Sequence, residues 1–238
     1  MRIRNVLYAG LAALLLSSSG CTKTDEADIK DLYNVTPSAV RQIDNQRRSI
    51  AFILDTSGSM YDMLKGERKI DSAKKSLKEI LKTYKEFNDA NNNIEAGIFY
   101  FSGWATVNNL VPVEKFDYLN LVEKISRLEA DSNTPLGRSL AYAERELDKN
   151  ASGKKYIVLL TDGMNNTGRE PSSVWKDIIK TNDEAGDSPT TLYVIAFNTN
   201  KEYFKGLEEL GAIVYEAKDA AGLSEVLKEN TRRILEKY

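Results

Sequence analysis

The chain has 238 residues, 42% of them hydrophobic and 29% charged, with a formal net charge of −2. That suits one globular domain with an ordinary core plus short extras, and it is too acidic a balance for a protein whose main ligand is nucleic acid. Histidine is absent and cysteine occurs once, as Cys21, which excludes Ser-His-Asp and Cys-His catalysis, histidine-ligated zinc or iron, and any disulfide within the chain; a metal here would be held by oxygen, favouring Mg2+, Mn2+ or Ca2+.

The chain opens MRIRNVLYAGLAALLLSSSGC. Arg2 and Arg4 form a positive start, Val6–Leu16 is an apolar run too short to span a bilayer comfortably, and the small residues Ser17 to Gly20 precede Cys21. Residues 1–20 therefore read as a signal peptide. The segment resembles a bacterial lipoprotein signal, in which the cysteine becomes a lipidated N-terminus; the departure is Ser18, where that pattern usually has leucine. The plain alternative is an ordinary signal peptide with an incidental cysteine. Acylation at Cys21 would hold the protein at a membrane surface. Thr22 is not the aspartate that often retains such proteins in the inner membrane, so the resemblance implies the bacterial cell envelope with the outer membrane favoured, on its periplasmic or surface face. Residues 21–47 are polar, charged and weakly periodic. They read as the anchored N-terminus and a tether, with a short helix near Ala39–Asn45, and the domain is expected over 48–238.

From Arg48 onward, strand-like apolar runs alternate with amphipathic ones. Ile50–Leu54 is the first expected strand. Ile70, Ala73, Leu77, Ile80, Leu81 and Tyr84 recur at three- and four-residue steps, which predicts a helix over 68–88. Strands are expected over Ile94–Phe101 and 105–111, and the short link at Ser102, Gly103 and Trp104 makes them an antiparallel hairpin. Leu119, Val122, Ile125 and Leu128 mark one helix; Leu136, Leu140, Ala143 and Leu147 mark another. Tyr156–Leu160 is apolar on both faces, as in the middle of a parallel sheet. A helix over 172–182, a strand over Leu192–Phe197, a helix over 201–210, a strand over Ala212–Tyr215 and a helix over 222–236 complete the order. The alternation predicts an α/β fold with helices on both faces of a mostly parallel sheet, whose ligands bind at the carboxyl ends of the strands.

At that edge the first strand ends in ILDTSGSM, placing Asp55, Ser57 and Ser59 at every second position. NTPLG sets Thr134 just before a helix, and LLTDG sets Asp162 just past the central strand. If those strands are parallel neighbours, the two aspartates share an edge. They would repel and partly protonate unless a cation lay between them, and three hydroxyls could complete much of an octahedron without adding charge. Singly, each has a plain alternative: Ser57 or Ser59 as a helix cap, Thr134 as a cap before Pro135, Asp162-Gly163 as a turn.

Together the five resemble the metal-ion-dependent adhesion site (MIDAS) of the von Willebrand factor type A (vWA) domain. Its D-x-S-x-S is met by Asp55, Ser57 and Ser59, its threonine by Thr134 and its later aspartate by Asp162. The resemblance covers about 48–238. It implies a Rossmann-like three-layer α/β/α sandwich, mostly parallel, with one short antiparallel strand. It also implies a bound Mg2+ (or Mn2+ or Ca2+) that captures a carboxylate from a protein partner. Candidates for the partner-binding rim are Met60, Tyr61, Trp104, Asn165 and Arg169. Trp104 could instead fold onto the core, and Arg169 could be merely solvated.

No Gly-rich phosphate loop or D-x-D motif occurs, DTSGS lacks the D-T-G-[ST] pattern of aspartic proteases, and no water-activating base stands out beyond the site carboxylates. The chain is therefore expected to be a membrane-anchored adhesion or assembly module, not an enzyme and without a small-molecule substrate. The alternatives are an accessory subunit of a membrane or ATPase-linked complex and a metal-dependent surface hydrolase.

Overall fold

The computed structural model describes residues 44–102, 104 and 106–236. The expected signal peptide, Cys21, the tether up to residue 43 and Gly103 lie outside the described residues. Among the described residues no helix is long and apolar enough to cross a membrane.

The runs that are apolar on both faces become the middle of a six-stranded sheet. Strand β1 (Asp44–Leu54) is followed by a two-strand hairpin, β2 (Met63–Leu64) and β3 (Glu67–Arg68), and by helix α1 (Lys69–Asn91). Then come β4 (Ile94–Ser102), β5 (Thr106–Lys115), α2 (Tyr118–Ser126), α3 (Leu136–Asn150), β6 (Gly153–Thr161), α4 (Pro171–Ala185) and β7 (Thr191–Phe197). A 3-10 turn (Lys201–Phe204), α5 (Lys205–Glu208), β8 (Ile213–Ala217) and α6 (Ala220–Glu236) close the order. The sheet runs β5-β4-β1-β6-β7-β8, parallel throughout except for the β4–β5 hairpin. It is the expected three-layer α/β/α sandwich.

Period-two alternation sends successive β1 residues to opposite cores. Ile50, Phe52 and Leu54 pack with α1, α2 and α6, while Ala51 and Ile53 pack with α3, α4 and α5. From β1 the chain crosses over to β4, and from β6 to β7, on opposite sides of the β1–β6 pair. The strand order thus reverses between β1 and β6, where such sheets bind ligands.

Several boundaries differ from expectation. β1 starts at Asp44, whose N–H donates to Ser152 O at 3.0 Å, so Asp44 and Asn45 are strand and not the end of a short helix; the rest of that expected helix lies outside the described residues. β5 has ten residues, not a short run ending near 111. It passes through Pro112, which an edge strand tolerates because it leaves one side of its ladder unpaired. The helix expected over 201–210 is instead a 3-10 turn and one α turn; Gly211 at φ +88 ends the segment. In α2, Leu121 and Ile125 face the core while Leu119 is 75% exposed. The β2–β3 hairpin carries no apolar alternation to announce it. Its turn uses Lys65 and Gly66, both at positive φ (51° and 92°), as a tight two-residue hairpin turn requires.

Arg48 ties the first strand to the last helix. It is 2% exposed, and its guanidinium donates to Ile234 O at 3.1 Å, to Leu235 O at 2.9 Å and to Gln46 O. It satisfies carbonyls that the last turn of α6 would leave unpaired and lies 5.3 Å over the Phe87 ring. Arg48→Met should cost about 3 kcal/mol in urea unfolding, and Arg48→Lys should recover less than half, because an ammonium lacks the guanidinium's fork.

Candidate metal centre

The site is built where β1 and β6 end. Their register pairs Leu54 with Leu160, and Asp55 N–H continues the ladder to Leu160 O at 2.9 Å. Asp55 therefore stands opposite Thr161, with Asp162 one residue beyond. Asp55 is fully buried. Its Oδ1 accepts the Ser57 N–H at 2.7 Å and its Oδ2 accepts the Thr161 hydroxyl at 2.5 Å. Burial, with the nearby Asp162 charge second, pushes its carboxyl up to about 6, although the Ser57 and Thr161 bonds pull the other way.

Past Asp55 the chain turns into a 3-10 helix, Gly58–Tyr61. Ser57 occupies its cap position but makes no capping bond through its side chain. Its hydroxyl instead lies 3.1 Å from that of Ser59. Ser59 in turn donates to Asp162 Oδ1 at 2.7 Å. These spacings suit one shared ion: adjacent oxygens of an octahedron with bonds of 2.0–2.1 Å lie about 3 Å apart.

Thr134 is tied by its main chain to the loop after β6, which also carries Asp162. Its N–H donates to Asn166 Oδ1 at 2.8 Å, and Asn166 N–H donates to Thr134 O at 3.1 Å. The cap of α3 is Pro135, so Thr134 stands one residue outside the helix and is itself only 3% exposed. Gly137 lets the loop after β6 press on α3, since a Cβ there would lie 2.2 Å from Arg169 O. Among the described residues no group of three or more acidic, cysteine or histidine side chains is placed to hold a metal ion. Any metal here would depend on hydroxyls beside two carboxylates, as the D-x-S-x-S pattern supposes.

The expected rim is only partly at the surface. Trp104 is 85% exposed and Tyr61 58%; Arg68 stacks over the Tyr61 ring at 5.2 Å. Met60 is not a rim residue: it is fully buried in the core with α1, because the 3-10 turn points it inward. Arg169 is not a loose steering charge, since it bonds Asp177 at 2.6 Å and Ser173 at 2.9 Å. Asn165 is half-buried and braces its own loop through Gly168 O and Arg169 O. Met63, Met164 and Tyr203 are exposed and escaped sequence reading, as isolated apolar residues in loops carry no period. Met164 and Tyr203 line a groove of about 180 Å³ with Leu136, Phe204 and Leu207 among others.

Three positioning residues were also missed. Thr161 orients Asp55; its neighbour Asp162 was the signal. Thr56, fully buried, donates to Phe101 O at 2.8 Å and accepts Phe101 N–H at 3.0 Å, pinning the loop to β4. Lys69 donates to Asp162 Oδ2 at 2.8 Å. It lies four residues before Ala73, on the buried face of α1, which was its signal in the sequence.

The family model for the von Willebrand factor type A domain matches residues 49–229, more than half of the chain. The uncharacterized protein YwmD of Bacillus subtilis (strain 168) is 31% identical over 172 residues, covering 68% of this chain and 72% of that protein. Among solved structures, the pilus adhesin SpaC of Lactobacillus rhamnosus GG superposes with a TM-score of 0.62 at 15% identity, over 82% of this chain and 31% of SpaC. The PilB minor pilin of Streptococcus sanguinis gives 0.64 at 17%, over 81% and 62%. At such identity these two show the fold, and the chain spans less than two thirds of either.

Asp55 makes stability depend on pH. Its folded value lies above the ordinary 3.8, so its bound proton stabilises the fold below about pH 4, and that contribution is lost as pH rises through about 6. Asp55→Asn should therefore exceed the parent in stability by up to about 3 kcal/mol at pH 7.5 and by little at pH 4, measured by urea unfolding in chelator.

Proposed function

Because the chain belongs to the von Willebrand factor type A domain family, we propose that it is a divalent-metal-dependent protein-binding module of the bacterial cell envelope that captures an acidic side chain of a protein partner. One observation carries this reading: Ser57, Ser59 and Asp162 form a hydrogen-bonded run beside buried Asp55, at the sheet edge whose connections also carry the exposed Tyr61, Met63, Trp104, Met164 and Tyr203. Asp55, Ser57, Ser59, Thr134 and Asp162 would hold the ion, Mg2+ by preference for hard oxygens. When bound, it would offer a Lewis-acidic position that a partner carboxylate completes.

The chain's own residues do the rest. Thr161 and the Ser57 N–H fix both oxygens of Asp55, and Thr56 holds the loop against β4. Few anionic donors leave a bound ion electrophilic. Tyr61 and Trp104 offer aromatic anchors of the kind that dominate protein interfaces, and the groove at Tyr203 and Phe204 can take an apolar side chain next to the captured acid. That SpaC is a pilus adhesin and PilB a minor pilin agrees with a surface-binding role. An accessory subunit would use the same chemistry on a permanent partner. A metal-dependent hydrolase would need, besides the ion, a base poised to activate water beyond the site carboxylates.

The address follows from Cys21 as a lipidated N-terminus, with the outer membrane favoured. Cys21→Ser should move the protein from the membrane to the soluble fraction; retention with the membrane would end the anchor reading. In isothermal titration calorimetry with Mg2+, Asp55→Ala should weaken binding roughly 100-fold or more with the circular dichroism spectrum unchanged. An unchanged affinity would end the site assignment.

A further inference from the structure

The site contains a cation of its own. Lys69 is the first residue of α1, and its main-chain N–H donates to Asp62 O at 3.0 Å. Its side chain is 11% exposed and that of Asp162 is fully buried, with the ammonium 2.8 Å from Asp162 Oδ2. The other oxygen, Oδ1, takes the Ser59 hydroxyl. Both oxygens of the second site carboxylate are thus engaged by the chain itself. A second carboxylate is within reach: Asp62 Oδ2 lies 4.0 Å from the same ammonium, on a side chain 70% exposed.

We propose that Lys69 is a built-in counter-ion of the candidate metal centre that opposes divalent-ion binding, and that Asp62 is the second partner to which it turns when Asp162 is given up. The inference deepens the metal reading and depends on it. A fixed positive charge in contact with Asp162 cancels half of the charge that two ionised aspartates would offer a dication. Like charges this close, with little water between them, repel strongly. The cation also removes the need for a permanently bound metal, because it relieves the repulsion between Asp55 and Asp162 by itself. Binding then becomes conditional on the divalent-ion concentration outside the protein. The two-residue turn of the β2–β3 hairpin fixes this arrangement by folding the chain back, so that Asp62 and Lys69 stand side by side. Asp62 faces solvent, so its pairing with Lys69 is the better hydrated and more yielding of the two.

The test is titration calorimetry of the full chain with Mg2+, paired with thermal unfolding in chelator and in saturating Mg2+. Lys69→Met keeps the aliphatic stem and should bind Mg2+ roughly ten-fold more tightly or better. Its Tm should fall below the parent's in chelator and the gap should close in Mg2+. Lys69→Gln, which keeps a hydrogen-bond donor for Asp162, should show the same tightening and serves if Lys69→Met does not fold. Asp62→Asn should weaken Mg2+ binding, and that effect should vanish in the Lys69→Met background. If the parent binds Mg2+ and both Lys69 variants bind it equally or less tightly, the counter-ion role is wrong while the metal reading stands. If neither the parent nor any Lys69 variant takes up Mg2+, the metal reading fails and this inference falls with it.

Discussion

Two aspartates meet at the ends of neighbouring parallel strands, and most of the molecule's local design answers to that. The β1–β6 register leaves no choice about it: once Leu54 lies beside Leu160, Asp55 and Asp162 must share one buried lip. Charge so placed cannot be left uncompensated. The chain answers with hydroxyls from Ser57, Ser59 and Thr161, a main-chain N–H and the ammonium of Lys69. Thr56, Asn166 and Gly137 serve by holding the loops that carry those groups.

The same protein treats buried charge differently elsewhere. Lys155, on β6 and 4% exposed, donates to Glu144 at 3.1 Å, Asp148 at 2.7 Å and Asp187 at 3.1 Å. Glu144 Oε1 also accepts from Asn182 and Thr190. Burial, with Glu144 second, pushes the Asp148 carboxyl up to about 6, as expected where acids outnumber the base. That cluster joins α3, β6 and α4 through many mutual bonds and reads as internal bracing. The Asp55–Asp162 pair has fewer partners: the hydroxyls of Thr161 and Ser59, the Ser57 N–H and the Lys69 ammonium. The two clusters lie toward opposite ends of β6, the braced one at its start and the aspartate pair at its far end.

The sequence made the central strands plain because each is apolar on both faces, and it made the helices plain through their three- and four-residue steps. It could not set the far end of β5, since Pro112 argues against a strand until one knows that the strand is at an edge. It could not show the β2–β3 hairpin, which is too short for a period, nor the breakdown of the 201–210 helix, where a face pattern survives without a continuous helix. Within the candidate site, the strand ends and spacing pointed to Asp55, Ser57, Ser59 and Asp162 sharing one edge, and the register with the Ser59 bond places them there. Met60 was misjudged because motif adjacency says nothing about which way a 3-10 turn points a side chain. Lys69 shares the buried face of α1 by its spacing to Ala73, but a lysine in a first helical turn ordinarily reaches water, and only the tertiary contact with Asp162 gives it a role.

Arg48 holds the start of β1 against the last turn of α6, so the first and last described elements meet at one end of the sheet. The aspartates lie beyond the other end, with Asp55 seven residues after Arg48, about 23 Å at the usual rise. A bead, label or fusion attached ahead of Asp44 would therefore sit behind the molecule and leave the Trp104 face directed outward, so immobilisation from that side gives an oriented array.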